Sequence, residues 1–493
     1  MRLLFNSYEF IFAFLPITFF IYFYLNYKRL TEISKGFLVF SSLFFYSWWN
    51  ITYLPIILSS MLFNYVIGNS LNNKESRHRF SKKSILTFGI ISNLSLLGYF
   101  KYSDFMIENF NLTFSSDNEL LNLALPLAIS FFTFQQISYL VDSYRCETKE
   151  YDFLNYALFV TFFPQLIAGP IVHHKEMMPQ FAQIRNKIKN YRNIVMGLFI
   201  FSMGLFKKVI IADSFAVWAT NGFDIASTLN FIEAWATSLS YTFQLYFDFS
   251  GYTDMAIGLA LLFNIKLPIN FNSPYKATTI QDFWRRWHMT LSRFLRDYVY
   301  LPLGGNRKGE FRTYNNLLAT FIIGGIWHGA GWTFIFWGFL HGMALVIHRT
   351  WGKLGFKIWA WLAWLITFNF VNIAWVFFRA KEWDDAVMVL SGMIGLNGIV
   401  LPERLGSKLS FLSNYGVEFT KGAIYAVSES NLVIFYIIIA FAVVLSLNNS
   451  TLIIKNFKTS NKNLLIFIVT LFVLATHSIY KLGENSEFLY FNF

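Results

Sequence analysis

The residue with the strongest chemical potential is a histidine inside an apolar, glycine-rich run. His328 lies in Gly324-Gly-Ile-Trp-His-Gly-Ala-Gly-Trp332. An ionisable side chain in such a segment is costly and marks function by default. Imidazole titrates near neutral pH and suits a general base, and glycine permits close backbone approach to a ligand. The same residues also fit a buried histidine bonded to a carbonyl, with glycines serving helix packing. A second histidine lies in Asp282-Phe-Trp-Arg-Arg-Trp-His-Met-Thr-Leu-Ser-Arg-Phe-Leu-Arg-Asp-Tyr-Val299. At ~100° per residue, Asp282, Arg285, Arg286, Arg293, Arg296 and Asp297 share one arc, opposite an aromatic and aliphatic arc. This predicts one amphipathic helix at the membrane surface with His288 at the edge of its apolar side. Arg285, Arg286 and Arg293 can then hold an anionic donor. Alternatively they rest on lipid phosphates, and His288 merely packs.

The other candidates are weaker. His341 and His348 share a helix face, and His173 and His174 sit beside Lys175. No spacing suggests the three or four ligands of a zinc site, so no metal is expected. Asp248 and Asp254 could relay protons but suit a structural role better. Gly304-Gly-Asn-Arg-Lys-Gly309 follows no strand and is no phosphate loop. Cys146 is the single cysteine, which excludes an internal disulfide.

The surroundings of these residues are set by composition. Of 493 residues, 55% are hydrophobic and 14% charged, against about 25% charged in soluble domains. Apolar stretches of roughly 20 residues recur, each long enough to cross a bilayer as a helix. The net charge of +12 fits basic cytosolic loops, not nucleic-acid binding. Spans are expected near 8–27, 36–50, 52–70, 84–102, 121–141, 194–212, 231–263, 358–378, 432–449 and 463–480. Segment 153–172 carries Pro164, Gly169 and Pro170, has charged loops at both ends and a clearly basic one after it, so a re-entrant broken helix is expected. Residues 315–348 are expected to enter the membrane and return. Residues 264–314 hold nine Lys or Arg against three Asp or Glu and are placed in the cytosol. Parity puts both termini outside. The first apolar run does not look like a cleavable signal, because Lys28 and Arg29 follow it.

Together these segments resemble the membrane-bound O-acyltransferase family, in its bacterial branch of alginate, peptidoglycan and teichoic-acid modifying proteins. The resemblance is carried by Phe283-Trp-Arg-Arg-Trp-His288 with its continuation to Gly305, and by Gly325-Ile-Trp-His-Gly-Ala-Gly-Trp332. Ser130–Asp142, Phe163–Pro170 and Asp248–Met255 support it. It implies an all-α polytopic membrane protein: a ring of about ten to twelve transmembrane helices with re-entrant segments and a central tunnel, forming a single domain over 1–493. It implies His328 as the catalytic histidine and His288 as its active-site companion. The donor implied is cytosolic acetyl-CoA, with no tightly bound cofactor. The tail Phe488-Leu-Tyr-Phe-Asn-Phe493 matches a Phe-x-Tyr-x-x-Phe pattern of envelope acylation systems, in which Tyr490 would carry the acyl group; it could also be an aromatic interface anchor. The implied partners are the lipid bilayer, an extracytoplasmic esterase-like (SGNH) O-acetyltransferase and an envelope glycan, peptidoglycan before alginate. The implied location is the bacterial inner membrane. Two departures stand out: Phe294 where relatives often have tryptophan, and His173 where they often have arginine. A proton-coupled transporter would predict paired repeats, which the sequence does not display.

Overall fold

The computed structural model describes residues 3–72, 81–148, 152–422, 424–430, 432–450, 452, 461–482 and 488–489. The chain is helical. The one strand pair among the described residues is β1 (Ile399–Pro402) with β2 (Val417–Thr420), parallel, Ile399 opposite Val417. Among the described residues, five helical stretches have the length and hydropathy of a membrane span: Phe10–Tyr27, Ile51–Asn72, Lys82–Phe114, Tyr191–Ile225 and Ala360–Arg379. The contacts divide the chain into two compact units that interleave in sequence.

The first unit comprises 1–206, 251–269 and 456–493. It holds α1 (Leu15–Tyr27), α2 (Thr31–Ser47), α3 (Leu54–Asn72), α4 (Lys82–Phe114), α5 (Ile129–Tyr144), α6 (Phe153–Thr161), α7 (Phe163–Leu166), α8 (His174–Ala182) and α9 (Tyr191–Phe206). The α5 helix starts later than the expected 121–141 span. Pro126 and the left-handed backbone of Asn122 and Ala128 keep the preceding residues out of a helix. The expected break in 153–172 falls at Phe162, between α6 and α7. Its freed backbone groups find partners inside the protein: Gln135 and Gln165 both donate to the Phe159 carbonyl at 2.7 Å. The Phe163 N–H donates to Ser42 Oγ at 3.1 Å. An irregular backbone in an apolar setting requires such partners.

The second unit comprises 207–250 and 270–455. It includes α10 (Asp213–Thr220), the first part of α11 (Phe231–Leu262), α12 (Ile280–Trp284), α13 (Met289–Leu295), α14 (Glu310–His328), α15 (Trp332–Leu354), α16 (Ala360–Arg379), α17 (Trp383–Met393), α18 (Gly406–Leu409) and α19 (Leu432–Ser446). The expected in-and-back segment is the hairpin of α14 and α15, turning at Gly329–Gly331. Glycine lets its two backbones touch. A Cβ on Gly338 would lie 2.4 Å from the Phe321 carbonyl oxygen, and one on Gly325 would lie 2.3 Å from that of Phe334. His328 ends α14, so this close packing sets where its ring stands. Gly338→Val should force the helices apart, costing about 1–3 kcal/mol. A thermal melt of the purified protein would register it as a lowered midpoint.

Candidate active site

The expected continuous helix over 282–299 is overturned. The chain forms α12, breaks at Arg285–His288, and resumes as α13 followed by a wide turn at Arg296–Tyr300. The break has a local cause. His288 adopts a left-handed conformation, with φ 41°, and segment 270–272 staples it. Asn272 N–H donates to the Arg286 carbonyl and Met289 N–H to the Asn270 carbonyl, both at 2.9 Å. The Asn270 side-chain oxygen accepts from Thr290 N–H at 3.1 Å and Thr290 Oγ1 at 2.9 Å. Helical periodicity cannot anticipate a cap supplied 18 residues upstream.

The kink turns Trp287 and His288 inward, where both are buried. His288 Nδ1 stands 3.1 Å from Asn270 Oδ1. Because that oxygen already accepts from a backbone N–H, Nδ1 carries the proton and donates. The lone pair is therefore on Nε2. Phe249 packs edge-on against the imidazole at 4.7 Å. Burial holds the His288 pKa down at about 3, so the ring is neutral at physiological pH.

His328 is also buried. Its ring lies 4.7 Å from Trp327, 5.1 Å from Trp337 at a right angle, and 5.0 Å from Phe378. Trp327 is also 6.4 Å from His288. The two sequence-predicted histidines therefore meet on one indole, within an aromatic wall that lowers the local dielectric.

His341 joins this cluster, which its bare spacing did not reveal. It is fully buried, 4.8 Å from Trp337, the indole that also meets His328. Its Nδ1 accepts the Trp284 indole N–H at 3.2 Å. Indole only donates, so the tautomer of His341 is fixed with its proton on Nε2. Trp284 also lines a cavity of about 490 Å³, together with Arg285, Arg296, Arg349 and His348. Arg296 pairs with Asp297, and Arg349 with Glu310. Arg285 is exposed and makes no ion pair among the described residues, so its charge is available to an anion. The three arginines of the sequence reading part company. Arg285 lines the cavity, whereas Arg286 is bound to Asp282 at 2.9 Å, and Arg293 on α13 is not among the lining residues.

The acids resolve differently. Asp248 is buried with Lys208 at 2.8 Å, and Lys208 also meets Asp213 at 2.8 Å. This pairing supports a structural role for Asp248. In the first unit Asp254 is buried, and His173 Nδ1 faces Asp142 at 3.4 Å. The position where relatives often carry arginine thus confronts a carboxylate. Tyr490 lies outside the described residues. Two residues before it, Phe488 is buried and packs edge-on against Tyr252 at 4.8 Å.

Comparison with known proteins decides the family. The model of the membrane-bound O-acyltransferase family matches residues 10–381. The chain belongs to that family. It is therefore an acyltransferase and a multi-pass membrane protein. It is 52% identical to a peptidoglycan O-acetyltransferase of Helicobacter pylori, over 100% of this chain and 98% of that protein. It is 39% identical to a probable alginate O-acetylase of Pseudomonas aeruginosa, over 83% of this chain and 78% of that one. A teichoic acid D-alanyltransferase of Bacillus subtilis is 27% identical, over 53% of this chain and 70% of its own length.

Two outcomes follow for this family member. His341→Asn keeps an acceptor where Nδ1 stands and should retain most activity. His341→Leu releases Trp284 and should lower kcat roughly ten- to a hundredfold; steady-state assay of both variants separates anchoring from space filling. For His288, an unfolded imidazole titrates near 6.5 and the folded one near 3. Between these values the unfolded chain takes up the proton first. Stability present above pH 6.5 is thus lost as pH falls toward 3. His288→Asn should shrink the difference between melting temperatures at pH 7 and pH 5.

Proposed function

We propose that this protein is a transmembrane O-acetyltransferase that takes acetyl from cytosolic acetyl-CoA for O-acetylation of a cell-envelope polysaccharide, peptidoglycan before alginate. The observation carrying the proposal is the meeting of His288 and His328 on Trp327, one indole network away from a cavity bearing the available charge of Arg285. The 52% identity to a peptidoglycan O-acetyltransferase over the whole chain supports the acceptor class.

In this reading Arg285 attracts the donor's phosphates from the cytosolic side, and the thioester reaches His328. His328 removes the phenol proton of Tyr490, whose oxygen attacks the thioester carbonyl. The carbon–sulfur bond breaks, the thiolate recovers the proton from the imidazolium, and Tyr490 holds the acetyl ester. His288, neutral and oriented by Asn270, assists through the Nε2 face. A separate extracytoplasmic SGNH-type partner with a serine nucleophile then passes acetyl to a sugar hydroxyl. The protein resides in the inner membrane with both termini outside, and its C-terminal tail delivers Tyr490. Burial of Phe488 against Tyr252 shows that this residue of the motif contacts protein and favours the carrier reading over a lipid anchor.

The test is base-labile acetate on envelope glycan from cells with wild type, His328→Ala or Tyr490→Phe at matched membrane expression. Both variants should lose at least about a hundredfold in acetylation rate. Normal acetate with His328→Ala overturns the mechanism. Loss with His328→Ala alone removes Tyr490 from the relay. The fraction carrying wild-type acetate identifies the acceptor polymer.

A further inference from the structure

A second cavity, of about 1220 Å³, lies in the first unit, between the C-terminal end of α1 and the segment leading into α9. Arg29, Lys187 and Lys189 line it along with Tyr24, Tyr27 and Tyr191, and no carboxylate is among the lining residues. The acid nearest in sequence, Glu32, is occupied by Lys35 at 2.9 Å. Three cations therefore face one space without an anion from the described lining.

The rim is built, not incidental. The α1 helix ends in a left-handed residue, Arg29, with φ 62°. Such a backbone is uncommon outside glycine and asparagine. It is held by Arg29 N–H donating to the Asn26 carbonyl at 2.9 Å and Leu30 N–H to the Leu25 carbonyl at 3.0 Å. The Asn26 amide is itself fixed, donating to the Tyr22 carbonyl at 3.0 Å and accepting from Ser34 Oγ at 3.1 Å. The aromatic wall is unusually bare: Tyr27 is 81% and Tyr191 78% exposed. Lys189 sits 5.4 Å over the Phe20 ring. Tyrosine and lysine or arginine at the end of a span mark the level where hydrocarbon gives way to headgroups.

We propose that this cavity is a binding site for the headgroup of an anionic phospholipid, its phosphate met by Arg29, Lys187 and Lys189 and its upper acyl chains by the exposed tyrosines and Phe20. The size argues for a lipid over a bare anion, since the aromatic wall contributes nothing to a free phosphate. Basic pockets beside helix ends on the cytosolic face take up acidic lipids by the same charge logic. The site is independent of the acyl-transfer reading.

Native mass spectrometry of the purified full-length protein tests this, with phosphatidylglycerol and phosphatidylcholine of identical chains offered in equal amounts. The wild type should retain phosphatidylglycerol preferentially. The double variant Lys187→Gln with Lys189→Gln should lose on the order of tenfold of that preference, while Lys187→Arg with Lys189→Arg keeps it. Arg29→Asn, which suits the left-handed backbone, should lower the preference further. Equal retention of the two lipids by the wild type overturns the proposal, and this arm decides it even where a variant fails to fold. Displacement of the bound lipid by millimolar inorganic phosphate also overturns it, assigning the cavity to soluble phosphate.

Discussion

The His288 side of the candidate site depends on the side-chain oxygen of Asn270. By accepting from the backbone and hydroxyl of Thr290 and from His288 Nδ1, it satisfies groups that a broken helix leaves open. Were 282–299 one continuous helix, Trp287 and His288 would follow its regular twist, and His288 would ride at the border of lipid and protein. Instead the left-handed turn tips both into the interior. The energetic logic is that of any buried polar group: the kink persists because Met289 N–H, Thr290 N–H and Thr290 Oγ1 meet acceptors on Asn270. The same bond fixes the tautomer, so structure and proton placement have one origin.

Much of this was legible in the sequence. Long apolar runs separated by basic loops indicated helices, and Pro164 with the glycines after it signalled a broken segment. The tryptophan- and glycine-flanked histidines pointed to the site, because an imidazole in apolar surroundings is seldom idle. What escaped was non-local. The periodicity of 282–299 is truly amphipathic, yet a cap donated from residue 270 overrode it. The separation of Arg285 from Arg286 and Arg293 came with that kink. His341 showed only a shared face with His348, whereas its significance arises from Trp284, 57 residues away. Tyr490 falls outside the described residues, and its assignment rests on the tail motif.

Buried charge in the second unit is handled by pairing. Lys208 stands between Asp213 and Asp248, so an acid that sequence alone left open between proton relay and scaffold is occupied by a cation. In contrast, His288 is kept among aromatic rings, where a neutral imidazole is cheap and a charged one is not. The same unit thus pairs its buried ions and keeps the His288 imidazole apart from them.

The α14–α15 hairpin is fastened differently at its two ends. Near the turn, glycines press backbone on backbone. At the open end, Glu310 is clasped by Arg349 at 3.0 Å and Lys353 at 2.8 Å, which holds its carboxyl at about 2. The 19 residues of α14 put these fastenings about 27 Å apart, several Debye lengths at physiological salt. Ionic strength can loosen the clasp but has no purchase on the glycine contacts. The hairpin is consequently a lever with one salt-sensitive arm: the cavity side can breathe with its ionic surroundings while His328, at the fulcrum, keeps its place.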